Sequence, residues 1–377
     1  MKWFSVILLL GYLLSYNSGY SQSADSIQNT GANVPTCMVM GHCCCCAQND
    51  LTPEGVMYAH THEKGMFMAS YSYMDMNMSN YIDGRSTISN NTLYNKGYEM
   101  TAPAMNMQMH MVMLMCGITN KLTLMAMGSY NTMNMPMHML LQNGNMNMPG
   151  GWKMPFSEMG MSSPYMSSYS SGFGDASISG IYRILDKGGQ KLLLSGGVSI
   201  PSGNFYVINT MGMYPKMRAS YDMQPGSGTW DILPAVTCIK SVGMVSWGAS
   251  GSAIIRTGKN ALNYELGNQL NLTSWVSYKW KRWVSTSLRA EGMTLGTIKG
   301  NDPEIPTFLY TIEPGANPSN YGGQRLNAYA GINFYFFKGF LKKSRLAFEY
   351  GLPLYQNLNG IQNAATNTLY AGWRIAF

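Results

Sequence analysis

Alternation of apolar and polar residues, strand after strand up to the last residue, most constrains what this 377-residue chain can fold into. Successive side chains of a strand point to opposite faces, so a period of two predicts strands with one apolar face. About twelve such runs follow one another from about residue 65, and no amphipathic helix of three turns intervenes. Short turns alternate with long loops rich in Pro, Gly, Asn and Ser. This layout predicts an all-β fold, a transmembrane antiparallel up-and-down β-barrel.

The composition agrees with strands that face lipid on one side. Charged residues are 11% of the chain, against roughly 25% in a soluble domain. Segments of about 18 consecutive apolar residues are absent, which excludes membrane helices. One run that we read as a strand shows the expected faces: Leu270 and Leu272 share one parity, and Gln269 and Asn271 share the other. A run around 231–240 has no clean face and is left unassigned.

The two ends of the sequence indicate export to the outer membrane of a Gram-negative bacterium. A short apolar run from Trp3 to Leu14 predicts a signal peptide at 1–21. We place a flexible periplasmic tail at 22–63 and the barrel at 64–377. The last strand ends in the aromatic residue Phe377, in the parity of Trp373 and Ile375. Such an ending resembles the closing signal that barrels present to the barrel-assembly machinery, so that machinery and outer-membrane lipid are the expected partners.

Two function classes are not supported by the sequence. The net charge of +7 is dispersed rather than clustered, so nucleic-acid binding is not expected. A lipid hydrolase would need a His near a strand Ser, and no acid partner with suitable spacing accompanies His110 or His138. We therefore expect a protein that is not an enzyme and that uses no organic cofactor.

Methionine is the most unusual component, and it is local. Of 34 Met residues, 27 lie between Met38 and Met166. Many occupy every second position of three neighbouring predicted strands, which puts each series on one face. The first strand carries Met66, Met68, Met74, Met76 and Met78; the second carries Met105, Met107, Met109, Met111, Met113 and Met115; the third carries Met125, Met127, Met133, Met135, Met137 and Met139.

The opposite parity indicates which way this methionine wall faces. On the first strand it holds Phe67 and Tyr71, and on the third Leu122 and Leu124, all suited to lipid, so the Met point to the lumen. The second strand is less decisive. A Met stripe can simply pack, against lipid or a plugged interior. Alternatively, thioethers are soft neutral ligands that prefer Cu(I), and His110 and His138 join the candidate metal ligands.

A second candidate metal-binding segment precedes the barrel. It contains four adjacent Cys, which cannot form relaxed disulfides among themselves. The tract matches no zinc-finger spacing, so Cu(I) held by two or three thiolates is favoured over a structural Zn(II) site; an unligated, redox or palmitoyl-like tract is the alternative. The candidate ligands are Cys37, Met38, Met40, His42, Cys43, Cys44, Cys45, Cys46, His60 and His62.

A family resemblance covers most of the chain. The segments that carry it are 60–68, 107–115, 122–127, 172–175, 195–203 and 226–231. They resemble Met-rich outer-membrane proteins filed as transporter-like barrels of the meta-pathway phenol-degradation family, some of which accompany copper-handling systems. The resemblance implies an outer-membrane barrel and transport.

The sequence therefore predicts a barrel that binds or passes a soft metal ion, with copper as the bound or transported ion. The alternative is a channel for small hydrophobic or aromatic solutes, in which Met supplies a flexible apolar path. Twelve strands predict a narrow or plugged lumen under either hypothesis.

Overall fold

Antiparallel strands form the wall of the molecule. The computed structural model describes residues 50–148, 151–159, 163–208 and 216–377. The strands of these residues are β1 (Phe67–Gly84), β2 (Ser86–Ile88), β3 (Met100–Thr101), β4 (Ala104–Gly117), β5 (Leu122–Met139), β6 (Leu141–Gln142), β7 (Asn145–Asn147), β8 (Lys153–Pro155), β9 (Tyr165–Phe173), β10 (Ala176–Lys187), β11 (Gln190–Ile200), β12 (Asp231–Ile232), β13 (Ala235–Val242), β14 (Val245–Arg256), β15 (Tyr264–Glu265), β16 (Gln269–Lys281), β17 (Val284–Leu295), β18 (Lys299–Gly300), β19 (Gly323–Tyr335) and β20 (Ser344–Ala376).

Helices of the described residues lie in the connections. The one α-helix, α1 (Asn90–Asn95), begins after Ser89, whose hydroxyl accepts a hydrogen bond from the Thr92 amide, as N-capping residues do. None of these helices is long and apolar enough to cross a membrane. The 3₁₀ segments are Phe156–Glu158, Tyr221–Met223, Thr307–Thr311, Pro314–Ala316 and Pro318–Asn320.

Eleven strand elements close into an antiparallel barrel. The last of them, β20, pairs with β19 through residues 345–358 and with β1 through residues 358–376. Its chain therefore reverses near Gly360, which has a φ of +63°. A ring of exclusively antiparallel neighbours needs an even number of passes, so β20 counts as two. The wall thus has twelve passes, and the predicted barrel of about twelve strands is confirmed.

A proline explains the run that the sequence left unassigned. This pass is divided into β12 and β13, separated by Leu233 and Pro234, yet both parts pair with β11 and β14. Proline has no amide hydrogen and interrupts the ladder of hydrogen bonds. Another pass is likewise divided, at Gly174–Asp175, into β9 and β10, which both pair with β5.

Connections alternate in length around the barrel. At one end, here the short-turn end, brief turns join β4 to β5, β10 to β11, β13 to β14 and β16 to β17, and a longer turn joins β19 to β20. Long segments containing the helices lie at the other end, the loop end. The C-terminal strand finishes at the short-turn end, where the Phe377 amide donates to the Phe67 carbonyl at 2.9 Å. In outer-membrane barrels the short turns are periplasmic.

The outer face of the wall is apolar. Val112, Leu114 and Leu124 are 53%, 57% and 44% exposed there. Their neighbours Met113, Met115 and Met125 are buried and point inward. Exposed aliphatic residues in a continuous band are what lipid contact requires. The predicted low-charge, lipid-facing sheet is confirmed, and the fold is that of a Gram-negative outer-membrane barrel.

Long loops fold over the loop end of the lumen. Their apolar side chains form one buried cluster with the upper inner wall, which we call the loop cap. Leu93, Tyr221 and Ile312 from three different connections are at most 4% exposed. The cluster also includes Met105, Met133 and Met135 of the barrel wall. The upper methionines are therefore covered from the loop end.

Candidate functional site in the barrel lumen

The methionine wall faces the lumen on all three strands, including β4, where the sequence left the choice open. Met68 on β1, Met115 on β4 and Met125 on β5 are each at most 3% exposed. Towards the middle of β4 the wall is more accessible, because Met107, Met109 and Met111 are half-buried. The wall consists of Met68, Met74, Met76, Met78, Met105, Met107, Met109, Met111, Met113, Met115, Met125, Met127, Met133, Met135, Met137 and Met139.

Strand register places methionines directly opposite each other. Two rows cross all three strands, Met68–Met115–Met125 and Met76–Met107–Met133, and they are here called the lower row and the upper row. Between them, further opposed pairs are Met74–Met109 and Met113–Met127. Directly opposite Cβ atoms are about 4.5 to 5.5 Å apart, within the reach of two flexible thioether side chains. The sequence predicted which methionines share one face of a strand, and strand pairing shows which methionines of neighbouring strands lie opposite each other.

Two histidines predicted as ligands do not join the wall. His110 lies on the outer face, where its Nδ1 is 2.7 Å from the Tyr71 hydroxyl. His138 also lies on the outer face, stacked on Tyr165 with ring centroids 4.5 Å apart. Each has the parity opposite to that of the methionines on its own strand. The structure therefore separates both from the lumenal methionines.

The predicted Cys tract lies outside the described residues. Those candidate ligands are Cys37, Met38, Met40, His42, Cys43, Cys44, Cys45 and Cys46. In the part of the chain that the structure describes, no three His, Cys, Asp or Glu side chains form a group that could hold a metal ion.

Residues 50–63 occupy the short-turn end of the lumen; we call them the plug segment. Glu54 and His62 are 5% and 3% exposed, and the Asp50 carbonyl accepts a hydrogen bond from the Tyr335 hydroxyl at 2.7 Å. Val56 packs against Trp275 of β16. The first barrel strand begins only at Phe67, so this part of the predicted tail lies against the inner wall.

Arginines of the wall bind the carboxylates of the plug segment. Arg374 lies 3.1 Å from Glu54 and 3.5 Å from Asp50, and Arg345 contacts both acids. Glu54 also accepts a hydrogen bond from Ser72 at 2.6 Å. All the acids that pair with Arg374 among the described residues come from the plug segment. Docking of the plug segment is therefore electrostatic as well as apolar.

A second part of the same network belongs to the wall alone. Arg289 lies 2.8 Å from Glu349 and 2.5 Å from Glu291. Its guanidinium also lies over the ring of Tyr329, 3.7 Å from the centroid, a favourable cation–π geometry. Arg289, Glu291, Arg345 and Glu349 lie on the strand faces that line the lumen.

The two histidines of the plug segment differ in their partners. His60 contacts Arg374 and lies 3.4 Å from Asp50; burial first, and then the nearby arginines, lower its pKa to about 3. Burial alone would raise the pKa of Asp50, but contacts with His60, Arg345 and Arg374 hold it well below its usual range. His60 is therefore neutral and Asp50 ionised at pH 7.

His62 has no such network. Its amide donates to the Thr123 hydroxyl at 2.8 Å, while neither ring nitrogen has a hydrogen-bond partner among the described residues. Burial lowers the pKa of this imidazole, so it is neutral at pH 7 and has a free lone pair.

Sequence reasoning missed that the plug segment enters the barrel. A signal was present in the wall: three inward-facing arginines, Arg289, Arg345 and Arg374, accompany only two acids of the barrel network, Glu291 and Glu349. Buried charges require partners, so the missing carboxylates had to come from elsewhere. The register that would reveal the shortage is not readable from the sequence.

Three acids of the loop cap, Glu99, Asp222 and Glu313, have no ion-pair partner among the described residues, whereas Asp302 pairs with Arg218 at 3.2 Å. Burial, and the nearby Asp222, raise the pKa of Glu313 to about 8, and burial raises the pKa of Glu99 to about 7. Burial also raises the pKa of Asp222, whose carboxylate accepts a hydrogen bond from Ser220 at 2.6 Å. Protonation of Glu99 and Glu313 thus lowers the free-energy cost of burying them.

Comparisons with solved structures agree with the barrel fold described above. No family model matches the sequence, and no curated protein matches it. The crystal structure of an outer-membrane channel from Pseudomonas putida F1 is similar, with a TM-score of 0.55, 13% identity, and 87% of this chain and 100% of that chain covered. A FadL homologue from Pseudomonas aeruginosa gives 0.39, 11% identity, and 83% and 90% coverage. The first likeness shows that the chain has an outer-membrane barrel fold.

Proposed function

We propose that this protein is an outer-membrane channel that binds and passes a soft metal ion, with Cu(I) as its cargo, along the methionine wall. The observation that supports the proposal is the opposition of inward-facing methionines across β1, β4 and β5. Thioethers are neutral, soft donors suited to Cu(I). Repeated weak sites within a few ångströms of each other let an ion move from one to the next without being trapped.

The two ends of the lumen suit a gated path. The loop cap covers the upper row, and the plug segment lies beside the lower row, where Tyr58 packs on the same cluster as Met68 and Met115. Passage therefore requires the plug segment to move, at least locally. In this proposal the Cys tract of residues 37–46 collects or receives the ion on the periplasmic side.

Replacement of four methionines of β4 tests the wall. The variant Met107→Leu, Met109→Leu, Met111→Leu, Met113→Leu retains volume and apolarity but removes four sulfur atoms, at a cost per site usually below about 1.5 kcal/mol. We expect the purified barrel to lose most of its Ag(I) and Cu(I) binding, and proteoliposomes to lose uptake of either ion. The matched control replaces Met154, Met223, Met244 and Met293, which lie outside the three strands. Unchanged stoichiometry and uptake in the folded β4 variant would contradict the proposal.

The loop cap favours a second candidate, a channel for small hydrophobic or aromatic solutes. Tyr81, Tyr221 and Tyr264 are each at most 5% exposed within this apolar cluster, and aromatic rings offer contacts to such solutes. Uptake of a small phenol or alkylbenzene by proteoliposomes, with no uptake or binding of Ag(I), would support this candidate instead.

A further inference from the structure

The imidazole of His62 is an unusual group for the inside of a barrel. It is 3% exposed, and both ring nitrogens lack partners among the described residues. A buried polar group without a hydrogen bond costs folding free energy. The neighbouring His60, by contrast, contacts Arg374 of the wall and Asp50 of the plug segment. His62 is therefore a buried imidazole whose ring nitrogens make no hydrogen bond to the described residues that would explain its position.

Backbone contacts fix the position of His62 beside the lower row. Its amide is bonded to Thr123, and Thr123 is paired with Gly117 across β4 and β5. The next inward-facing pair along these strands is Met115 with Met125, and Met115 is paired with Met68. Residues two apart on a strand are about 6.5 to 7 Å apart. The His62 backbone thus lies one inward position from three methionines.

Gly117 makes this close approach possible. A Cβ at residue 117 would overlap the carbonyl oxygens of Glu63 and His62. The Gly65 amide also donates to the Gly117 carbonyl, and the Gly117 amide to the Met66 carbonyl, both at 2.9 Å. The chain after His62 is therefore paired with the end of β4, and this pairing fixes the position of His62 relative to the methionine wall.

We propose that His62, Met68, Met115 and Met125 form a binding site for a monovalent soft metal ion between the plug segment and the methionine wall. The inference rests on the proposed function and gives it a particular site. One neutral imidazole and up to three thioethers are donors that suit Cu(I) or Ag(I). These four side chains are 1% to 3% exposed, so the site excludes water.

The site differs in kind from the rest of the wall. The upper row, Met76–Met107–Met133, has only sulfur donors on its three strands. An ion in the lower row would bind both the plug segment and the barrel, and would fasten one to the other. Occupancy of this site therefore stabilises the docked plug segment, while the upper row takes ions without affecting docking.

The test uses the full-length mature protein in detergent, with Cys37, Cys43, Cys44, Cys45 and Cys46 replaced by Ser in the parent and in every variant, so that their thiolates do not bind the probe. Ag(I) is the probe for affinity and Cu(I) for X-ray absorption. We expect nitrogen as well as sulfur neighbours of Cu(I) at low loading. His62→Leu should remove the nitrogen contribution and weaken the tightest Ag(I) site at least tenfold. Met115→Leu, Met125→Leu should weaken the same site and leave sulfur-only binding at the upper row. The matched control is His138→Leu on the outer face, which should change neither measurement.

The outcomes separate this site from the wall as a whole. If the Cys-to-Ser parent binds Ag(I) and His62→Leu leaves both affinity and the nitrogen contribution unchanged, the lower-row site is refuted while the proposed function stands. If the Cys-to-Ser parent binds no Ag(I), both are refuted. Folding of the variants is checked by heat-dependent migration in gels, and His62 is outside the barrel strands, so its replacement leaves the wall itself intact.

Discussion

The pairing of Glu54 with wall arginines predicts that Glu54→Gln opens the short-turn end. The Glu54 side chain is 1% exposed and lies 3.1 Å from Arg374 and 3.9 Å from Arg345. Removing one partner of a buried ion pair costs about 3 to 5 kcal/mol. The cost here falls at or below the lower end of this range, since Asp50 still pairs with both arginines. We therefore expect docking of the plug segment to weaken by about 2 to 3 kcal/mol, or roughly 30- to 150-fold in the docking equilibrium.

Single-channel recording in planar bilayers measures this change. Glu54→Gln should raise the open probability by a factor of that order, because the neutral side chain no longer pairs with the arginines that hold the plug segment docked. The control Glu63→Gln makes the same change of charge in the same segment, at a residue without an ion pair among the described residues. It should behave as wild type. Equal open probability in the wild type and Glu54→Gln would refute the electrostatic account of docking.

Two further predictions concern the plug segment and the loop cap. Gly117→Ala should displace residues 62–63, because the added methyl group would overlap the Glu63 carbonyl. We expect plug docking to be destabilised by about 1 to 3 kcal/mol, measured as faster proteolysis within residues 50–66. The control Gly128→Ala, where the added methyl group meets open space, should show no change. The pKa of Glu313 is raised from its ordinary value of 4.5 to about 8, so the protonated acid favours the folded cap. The contribution of Glu313 to the stability of the cap is fully present below pH 4.5 and is lost as the pH rises towards and through about 8. Hydrogen exchange of residues 305–316, corrected for intrinsic rates, should therefore increase from pH 6 to pH 9. Glu313→Gln should reduce this pH dependence and leave the smaller part that comes from Glu99. A wild-type profile without pH dependence would contradict the burial argument.

Much of the barrel could be predicted because period-two patterning and register are coupled. A shift by one residue would turn Val112 and Leu114 into the lumen and the methionines towards lipid, so the pattern specifies the faces. The same reasoning left 231–240 unassigned, because Pro234 interrupts a pass without ending it. Strand faces are local properties of sequence, whereas continuity across a proline depends on the neighbouring strands.

The candidate site was predictable only in part for a related reason. The columns of methionine on β1, β4 and β5 follow from alternation, but the rows depend on how the strands are staggered, and stagger is set by pairing. His110 and His138 have the parity of the outer face, which the sequence showed but which the proposed ligand set did not take into account. The docking of Asp50 and Glu54 depends on residues roughly 300 positions away, Arg345 and Arg374, and no local pattern contains that information.

Docking of the plug segment also changes the local charge that an ion meets beside the lower row. With the plug segment docked, Asp50, Glu54, Glu291 and Glu349 face Arg289, Arg345 and Arg374, which leaves this network with one negative charge when His60 is neutral. Without the plug segment the same arginines face only Glu291 and Glu349, and the local charge is one positive. A low-dielectric lumen strengthens such differences relative to water. Under the proposed function, the docked state thus favours a cation near the thioethers and the undocked state favours its departure. Movement of the plug segment then changes both the size of the path and the free energy of the transported ion.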